Sequence, residues 1–372
     1  VGYGSQKRAS IVGSITTIEP QVLSQGTTRA LSNNLAGNVA GVIAVQRSGE
    51  PGADGSNFWI RGISSFQGAG TSPLVLVDGI ERTLDDLNPA EIESFSVLKD
   101  ASASAVYGVR GANGVILVQT KRGKLGKPTV NVHFEQSFTQ PTKLPQYIGS
   151  AEYLTLLNEI AKDNGQQQSP YSQETIDHYI NRTDPDLYPD LITKDFAMNQ
   201  RADITVNGGS DILRYAVVGS YYGEQGIFER DKSQSWNSGT HLNKFNLRSN
   251  VDINITKTTQ LTVSVGGYLQ EMNKMAISSD DAFSGAFETP PFIHPAYYKE
   301  DDNIYFPVVN QRVNPYVQVT QKGYATTSQS KIESLFALEQ DLKFITPGLK
   351  IKGIFSFDRY SWSGVTRSKT PD

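Results

Sequence analysis

The sequence predicts a mainly β protein, in which a small α/β unit precedes a series of long antiparallel transmembrane strands. Within residues 87–121 a strand, a small-residue helix, a glycine-rich turn and a second strand follow one another. Seven later segments alternate apolar and polar residues with a period of two, as strands with one apolar face do. Short and long connections separate these segments, which is typical of membrane β-barrels with their long loops outside.

The α/β unit is predicted from its strands and its glycines. Short buried strands are expected at 74–77, 92–98 and 114–120, and a thin Ala/Ser helix is expected at 101–107. The strand at 74–77 ends in the turn dipeptide Asp78–Gly79. Gly108, Gly111 and Gly114 stand where a chain that reverses beside its own helix needs positive φ or close backbone approach.

The remaining residues predict strands joined by uneven connections. The seven strand segments are 130–138, 202–206, 213–221, 245–255, 261–269, 335–342 and 349–357. Most approach the roughly 9 to 11 residues that a tilted membrane strand needs. The connection 256–259 is tight, whereas long excursions are expected at 166–188 and 272–330. Residues 150–162 predict an amphipathic helix with Ser150 as N-cap and one apolar face, formed by Tyr153, Leu156, Leu157 and Ile160.

Composition excludes several classes of protein. The net charge of −4 with both signs mixed provides no basic surface for nucleic acid. The absence of Cys excludes disulfides, thiolate metal sites and cysteine nucleophiles. A mean hydropathy of −0.37 argues against a helical membrane protein, but strands that alternate between lipid and lumen have such an average. A chain that starts at Val1 without a signal peptide suggests a processed or trimmed form.

No pattern in the sequence predicts catalysis. The histidines His133, His178, His241 and His294 are scattered, and neither a P-loop nor a G-x-S-x-G motif is present. We therefore expect no enzyme, no catalytic residue, no metal site and no cofactor. Structural calcium is the alternative for two acidic loop segments, although they lack the ligand spacing of a calcium loop; these are Asp280–Asp281 and Glu300–Asp301–Asp302.

Five motifs in a fixed order carry a resemblance to a known family. They are 1–7 (VGYGSQK), 35–42 (LAGNVAGV), 60–65 (IRGISS), 73–80 (PLVLVDGI) and 87–121, which runs into Lys-Arg-Gly at 121–123. Together they resemble the plug domain of TonB-dependent outer-membrane transporters, most closely the SusC-like branch (the SusC/RagA family). The resemblance implies a plug at 1–124 and the first part of a transmembrane β-barrel at 125–372.

A complete plugged barrel has about 22 strands. Seven strands cannot close such a wall, and open edges cannot face lipid, so we expect an incomplete piece.

The resemblance also implies a function and partners. It implies TonB-dependent active import of a bulky nutrient, a glycan, an oligosaccharide or an oligopeptide, across the outer membrane of a Gram-negative bacterium. A SusD-like surface lipoprotein would cover the barrel, outer-membrane lipid would surround it, and the TonB–ExbB–ExbD complex would pull on a segment near or before Val1. The alternatives are a siderophore or vitamin receptor, and an outer-membrane adhesion or assembly protein without transport.

Two groups of residues are candidates for the site. Arg61, Glu91, Glu93 and Arg110 are expected to form ion pairs between plug and barrel, since a buried Arg61 needs a carboxylate or carbonyl partner. Direct substrate contact is the alternative for them. Ligand contact is expected from the glycine-rich loop and from aromatic residues in a long excursion, namely Ser65, Phe66, Gln67, Tyr297 and Tyr298. The alternative for the aromatic residues is an interfacial girdle or packing within loops.

Overall fold

A computed structural model of the chain contains two main sheets. It describes residues 15–23, 29–60, 62, 72–99, 105–181, 187–290, 292, 296–300, 303–307 and 314–370. One sheet has five short strands near the N-terminus, and the other has seven long strands. The prediction of a mainly β protein, with a small α/β unit ahead of long antiparallel strands, is therefore confirmed.

The N-terminal unit, residues 15–120, is built on the five-stranded sheet. Its strands are β1 (Ile15–Ile18), β4 (Leu74–Val77), β5 (Ile80–Glu81), β6 (Ile92–Leu98) and β7 (Val115–Thr120), in the order β1-β6-β7-β4-β5. Strand β4 runs parallel to β7, and the other neighbours are antiparallel. A separate hairpin joins β2 (Val42–Gln46) to β3 (Ser56–Ile60), and helix α1 is Pro20–Leu23.

The core of this unit explains the strand pattern that the sequence shows. Val77, Ile92, Phe95, Val97 and Ile116 are completely buried between the sheet and the segments packed on it. Full burial of each such side chain contributes about 1.5–3 kcal/mol. Of the predicted small-residue helix, 101–104 lie outside the described residues, and the chain continues as a 3-10 segment, Ala105–Gly111.

Gly114 is required by the geometry of the turn into β7. Its φ is +89°, and a Cβ built there would lie 2.7 Å from Ile60 Cδ1 and 3.2 Å from the Leu98 carbonyl oxygen. A side chain at this position would be strained and would also push β3 away from the sheet.

The long sheet consists of seven antiparallel strands in sequence order, with two short strands set apart from it. The seven strands of this sheet are β8 (Gly126–Thr139), β9 (Ala197–Gly209), β10 (Leu213–Gln225), β11 (His241–Asn254), β12 (Thr259–Met275), β15 (Gly323–Asp341) and β16 (Lys350–Ser368). All seven predicted segments lie within these strands or overlap them. The sheet is open, with β8 and β16 at its edges. The short strands β13 (Tyr298–Glu300) and β14 (Asn303–Tyr305) form a separate hairpin.

The two faces of the long sheet have opposite character. The inner face packs on the N-terminal unit and buries polar and charged side chains, among them Asn199, Arg201, Lys244, Asn246, Arg248, Asn250 and Glu333. The outer face exposes large apolar side chains, among them Val132, Phe134, Ile204, Leu247, Phe336 and Phe355. Arg359 on the edge strand β16 is a charged exception on the outer face. This polarity is the reverse of that of a sheet in a water-soluble core, and it is typical of a sheet that faces lipid.

The connections of the long sheet are sorted by length between its two ends. Short connections at 210–212, 255–258 and 342–349 share one end, and long ones at 140–196, 226–240 and 276–322 share the other, which we call the long-loop end. The long connections carry α2 (Ser150–Asp163), α3 (Gln173–Ile180), α4 (Tyr188–Ile192), α5 (Ser279–Glu288) and α6 (Pro315–Thr320). Across the described part of the chain, no helix is long and apolar enough to cross a membrane.

Three details of these connections differ from the sequence prediction. Helix α2 begins at Ser150 itself, and its N-cap is Gly149 rather than Ser150. Its buried positions include Leu154 and Ala161, whereas Leu156 and Ile160 are exposed. The second excursion is shorter than 272–330, because β12 extends to Met275 and β15 starts at Gly323.

We predict that Gly114→Val destabilises the N-terminal unit, because it combines a strained φ with a clash against Ile60. The free energy of opening of β7 should fall by about 2–4 kcal/mol. Native-state hydrogen exchange of the β6 and β7 amides measures it. The matched control is Gly49→Val, since a Cβ at Gly49 meets no atom within 4 Å. Equal exchange rates in both variants would contradict the prediction.

Candidate functional site: the interface between the N-terminal unit and the long sheet

One irregular segment of the N-terminal unit supplies most of the polar contacts to the long sheet. Two 3-10 turns, Leu84–Asp86 and Pro89–Glu91, lie between β5 and β6. Asn88 fixes the second turn, since its Oδ1 accepts a hydrogen bond from the Ala90 backbone N–H at 2.7 Å and Pro89 follows it at the first position. The turns hold the side chain of Glu91 and two backbone carbonyls toward the inner face.

Two arginines meet one carboxylate at the centre of the interface. Arg248 of β11 donates from Nε to Glu91 Oε2 at 2.6 Å and from Nη2 to Glu333 Oε2 at 2.9 Å. Arg82, from the N-terminal unit, lies with Nη1 3.5 Å from the same Glu333 oxygen. It also binds Asp358 of β16 in a bidentate manner, with Nε–Oδ2 at 3.0 Å and Nη2–Oδ1 at 2.9 Å. We call Arg82, Glu91, Arg248, Glu333 and Asp358 the charge network.

The charge network is largely withdrawn from water. The side chains of Arg82, Glu91, Arg248 and Glu333 expose between 1% and 4% of their surface. Buried charges are tolerated only when they are paired, and removal of one partner of a buried pair typically costs about 3–5 kcal/mol. The network therefore favours one position of the N-terminal unit on the sheet, because another position would leave charges buried without partners.

A second group of polar contacts surrounds the charge network. Lys331 Nζ donates to Asp86 Oδ2 at 2.7 Å and lies 3.1 Å from Glu333 Oε1. Lys244 Nζ donates to the Asp85 carbonyl oxygen at 2.9 Å and stands 4.7 Å from the centre of the Tyr268 ring. Hydrogen bonds of this kind can be exchanged for bonds to water when the two surfaces separate.

The end of the N-terminal unit is fastened by amide side chains of the sheet. Asn250 Nδ2 donates to Thr120 Oγ1 at 2.8 Å and to the Lys121 carbonyl oxygen at 2.7 Å. Asn207 Nδ2 donates to the Arg122 carbonyl oxygen at 2.8 Å. These contacts hold the segment that leads from β7 into β8.

Gly266 makes room for the central arginine. It lies directly opposite Arg248 in the β11–β12 register. A Cβ at Gly266 would lie 2.9 Å from both Cζ and Nη1 of Arg248. The glycine therefore lets the guanidinium lie over β12 and reach Glu333.

Asp85 lies beside the charge network within the N-terminal unit. Burial raises the pKa of its carboxyl, while hydrogen bonds from Ser32 and the charge of Arg29 act in the opposite direction. The Ser32 backbone N–H donates to Asp85 Oδ1 at 2.8 Å and the Ser32 hydroxyl to Oδ2 at 2.9 Å. Arg29 itself donates to Asp54 Oδ1. These contacts order the turn whose carbonyls bind Lys244.

The predicted ion-pair residues have different surroundings. Glu91 contacts Arg248 across the interface, as described above. Arg110 lies on an exposed 3-10 segment and pairs with Glu81 inside the N-terminal unit; its expected contact with the barrel stays a prediction. Glu93 pairs with Lys124 at 3.0 Å on an exposed surface just before β8, and its role between plug and barrel also stays a prediction. Arg61 lies outside the described residues.

The predicted ligand-contact residues are not brought together by the described part of the structure. Ser65, Phe66 and Gln67 lie outside the described residues. Tyr297 packs on Tyr316 of α6, with ring centres 5.3 Å apart, and Tyr298 begins the short strand β13.

The acidic loop segments offer no assembled cation site in the residues that are described. No group of three or more His, Asp or Glu side chains in that part of the chain is arranged to hold a metal ion. Asp281 accepts hydrogen bonds from the Ser278 hydroxyl, at the start of α5. Asp301 and Asp302 lie outside the described residues.

Most members of the charge network were missed by the sequence analysis. Arg248 and Glu333 stand in predicted or adjoining strand sequence, and the alternation places them on the polar face. A charged residue at the middle of a long alternating segment is the signal that could have identified them, because such a strand has only one polar face. Arg82 carried no comparable signal.

Similarity to known proteins agrees with this architecture. The family model described as "TonB-dependent Receptor Plug Domain" matches residues 7–115. The TonB-dependent receptor SusC of Bacteroides thetaiotaomicron is 30% identical over 312 residues, which are 81% of this chain and 28% of that protein. The TonB-dependent receptor P3 of Formosa agariphila is 27% identical over 367 residues, which are 96% of this chain and 33% of that protein. The chain thus spans about a third or less of the length of these relatives.

Solved structures share the fold. The RagAB peptide importer in its "open-open" state superposes with a TM-score of 0.74 and 20% identity, over 98% of this chain and 42% of that chain. Its "closed-closed" state gives a TM-score of 0.73 over 95% of this chain. The two-part arrangement of a small N-terminal unit against a long sheet is therefore a known one.

We predict that Arg248→Met loosens the N-terminal unit, because Glu91 and Glu333 then lose the cation between them. The free energy that holds residues 84–91 against the sheet should fall by about 3–5 kcal/mol. Hydrogen exchange of the amides in that segment, in the full-length protein, provides the measurement. Arg367→Met is the matched control, since that side chain is exposed near the end of β16. Unchanged exchange in Arg248→Met would refute the role of the network.

We predict that Gly266→Ala acts on the same network without removing a charge. The added methyl group should displace the Arg248 guanidinium and lower the stability of the seated N-terminal unit by about 1–3 kcal/mol. Calorimetry of the full-length protein measures the shift of its thermal transition. Gly353→Ala on β16 is the control, because a Cβ there meets no atom within 4 Å. The prediction is wrong if the two variants melt alike.

Proposed function

Because this chain belongs to the SusC-like TonB-dependent receptors, we propose that it is the plug-bearing part of an energy-coupled importer in the outer membrane of a Gram-negative bacterium. The nutrient would be a bulky glycan, oligosaccharide or oligopeptide. The RagAB structures are described as a peptide importer, which supports the oligopeptide. The glycan and oligosaccharide are what the SusC-like resemblance implies. No catalytic chemistry is part of this proposal.

The single observation that carries the proposal is the polar, charge-paired interface between the N-terminal unit and the long sheet. An importer needs a seal that is specific when it is closed and separable when it is pulled. Because its contacts are ion pairs and hydrogen bonds, the interface meets both needs: burial fixes one position, and water can replace the contacts when the unit moves.

The partners follow from the same family. We propose that the TonB–ExbB–ExbD complex pulls on the chain ahead of β1 and that a SusD-like lipoprotein covers the long-loop end. The position of β1 supports the first point: among the described strands it pairs with β6 alone, at the edge of the sheet, and it can be removed without breaking the centre of the sheet. The helical connections at the long-loop end offer the surface for the second.

The outer face of the long sheet supports the location. Its exposed apolar side chains suit contact with lipid and would be a liability in water. The alternative of a non-transporting adhesion or assembly protein gives no reason for a separable charge-paired seal. A siderophore or vitamin receptor would use the same seal, and the relatives named above favour the SusC-like branch.

A reversible disulfide tests whether the N-terminal unit must move. The chain has no Cys, so Thr120→Cys with Asn250→Cys introduces a single pair at side chains that touch. The oxidised protein should bind its nutrient but take up at least about tenfold less, and reduction should restore uptake. Uptake by whole cells and ligand binding by purified protein are the two measurements.

A second pair of cysteines serves as the control for that lock. Thr259→Cys with Gln340→Cys joins β12 to β15 inside the long sheet, where these residues are opposite each other. This lock should leave uptake unchanged. If both locks reduce uptake equally, or if neither does, displacement of the N-terminal unit is not the transport step.

A further inference from the structure

The β2–β3 hairpin of the N-terminal unit makes its own contact with the long sheet, apart from the charge network. The connection between the two strands contains Gly52, whose φ is +81°. A Cβ built at Gly52 would lie 2.9 Å from Met272 Sδ and 3.2 Å from Leu242 Cδ1. The backbone of the hairpin tip therefore lies directly against these two side chains. We call this contact the hairpin seat.

One row of side chains on the inner face forms the hairpin seat. Leu242 of β11 is paired with Met272 of β12 on one side and with Glu224 of β10 on the other. Directly opposite residues of an antiparallel sheet project from the same face, so Glu224 also points toward the N-terminal unit. Leu242 precedes Arg248 on the same strand, and the spacing puts the hairpin seat about 20 Å from the charge network, toward the long-loop end.

Glu224 is a buried carboxylate that has no bound partner in the described part of the chain. Its side chain belongs to a residue that is 8% exposed, its Oε2 accepts no hydrogen bond from a described residue, and it forms no ion pair there. By contrast Asp54, Glu91 and Glu333, which are also buried, each pair with an arginine. A buried charge without a partner costs free energy, so Glu224 destabilises the seated position.

Arg29, the cation of the N-terminal unit that acts on Glu224, is already bound to another carboxylate. It donates from Nε and Nη2 to Asp54 Oδ1 at 3.1 and 2.8 Å. Burial lowers the pKa of the Arg29 guanidinium, but the carboxylates of Asp54, Asp85 and Glu224 raise it, and the net shift is upward. Asp54 itself repels Glu224. One guanidinium therefore stands among three carboxylates.

The cations of the neighbouring strands are engaged elsewhere. Lys244 of β11 donates from Nζ to the Asp85 carbonyl oxygen at 2.9 Å. Arg201 of β9 stands 5.5 Å from the centre of the Tyr222 ring. Neither of them forms an ion pair with Glu224, so the sheet does not compensate for the charge that the N-terminal unit leaves unpaired.

On the side of the long loops, Glu224 lines a polar cavity of about 490 Å³. Lys194, Arg230 and His241 line the same cavity. Lys194 Nζ donates to the Gly226 carbonyl oxygen at 3.0 Å. A carboxylate in the wall of a polar cavity is readily rehydrated when the hairpin moves away, and its charge then no longer opposes the position of the unit.

We propose that Glu224 is a release residue, whose unpaired charge keeps the hairpin seat weak so that the N-terminal unit can be displaced. The charge network fixes the position of the unit, and the repulsion between Glu224 and Asp54 limits the free energy that is needed to leave it. Buried polar groups without partners are costly and concentrate at functional sites. The inference rests on the proposed function, since it explains how a specifically seated unit can be released.

Glu224→Gln in the full-length receptor tests the proposal. The amide keeps the size of the side chain, removes its charge and can donate a hydrogen bond to Asp54. At pH 8 the amides of residues 42–60 should be protected from hydrogen exchange at least about tenfold more than in wild type, because an unpaired buried charge is lost. Glu271→Gln, at an exposed position of β12, is the matched control and should exchange as wild type does.

The pH dependence separates a loss of charge from a change in packing. Protonation of Glu224 removes the same charge, so the stability of the wild-type hairpin seat should rise as the pH falls and decline as the pH rises. At pH 5.5 the protection of wild type and Glu224→Gln should therefore differ by less than about threefold. Glu224→Asp keeps a carboxyl group at this position and should retain the pH dependence of wild type.

Three results would overturn the proposal. They are equal or lower protection in Glu224→Gln at pH 8, a difference from wild type that is unchanged at pH 5.5, and loss of the pH dependence in Glu224→Asp. Heat-modifiable migration on gels verifies that each barrel is folded. Failure of the proposed function is a separate result, because the disulfide between positions 120 and 250 would then leave uptake unchanged. If that disulfide blocks uptake while the exchange rates of Glu224→Gln and wild type are equal, only this inference fails.

Discussion

The structure depends on one constraint, namely that charges buried between the N-terminal unit and the long sheet must find partners across that boundary. Glu91 and Arg82 come from one side, and Arg248, Glu333 and Asp358 from the other. Removing either side from its place leaves buried charges that must be rehydrated. The interface is therefore specific in position and is held largely by polar contacts, a combination suited to a seal that opens and closes.

The need to pair buried polar groups also explains why the two faces of the long sheet differ in polarity. Its inner face is polar because it faces the charged turns of the N-terminal unit, and its outer face is apolar because lipid offers no hydrogen bonds. Glycine occurs where a large side chain lies close to the backbone of the sheet. Gly266 leaves space for Arg248, and Gly223 leaves space for the Tyr221 ring. The same alternation of polar and apolar residues therefore forms both the contact with the N-terminal unit and the outer face of the sheet.

The sequence predicts local structure well here and pairings poorly. All seven long strands follow from period-two alternation, because that signal is local, and β6 lies at the bounds expected for a short buried strand. Glu91 could be proposed as an ion-pair residue, but its partner Arg248 is 157 positions away, and only the packed structure brings the two together. The same holds for Arg110 and Glu93, whose partners in the structure are Glu81 and Lys124, since a charge in the sequence carries no information on which neighbour lies nearest.

Single-molecule force spectroscopy on the full-length receptor in a bilayer tests the central claim most directly. The pull is applied ahead of residue 15, and the released contour length is recorded at about 3.5 Å per residue. The account predicts that rupture of the charge network releases at most residues 15–120 while the long sheet stays intact, and that the unit reseats when the force is removed. Release of the long sheet at the same force, or failure to reseat, would contradict it.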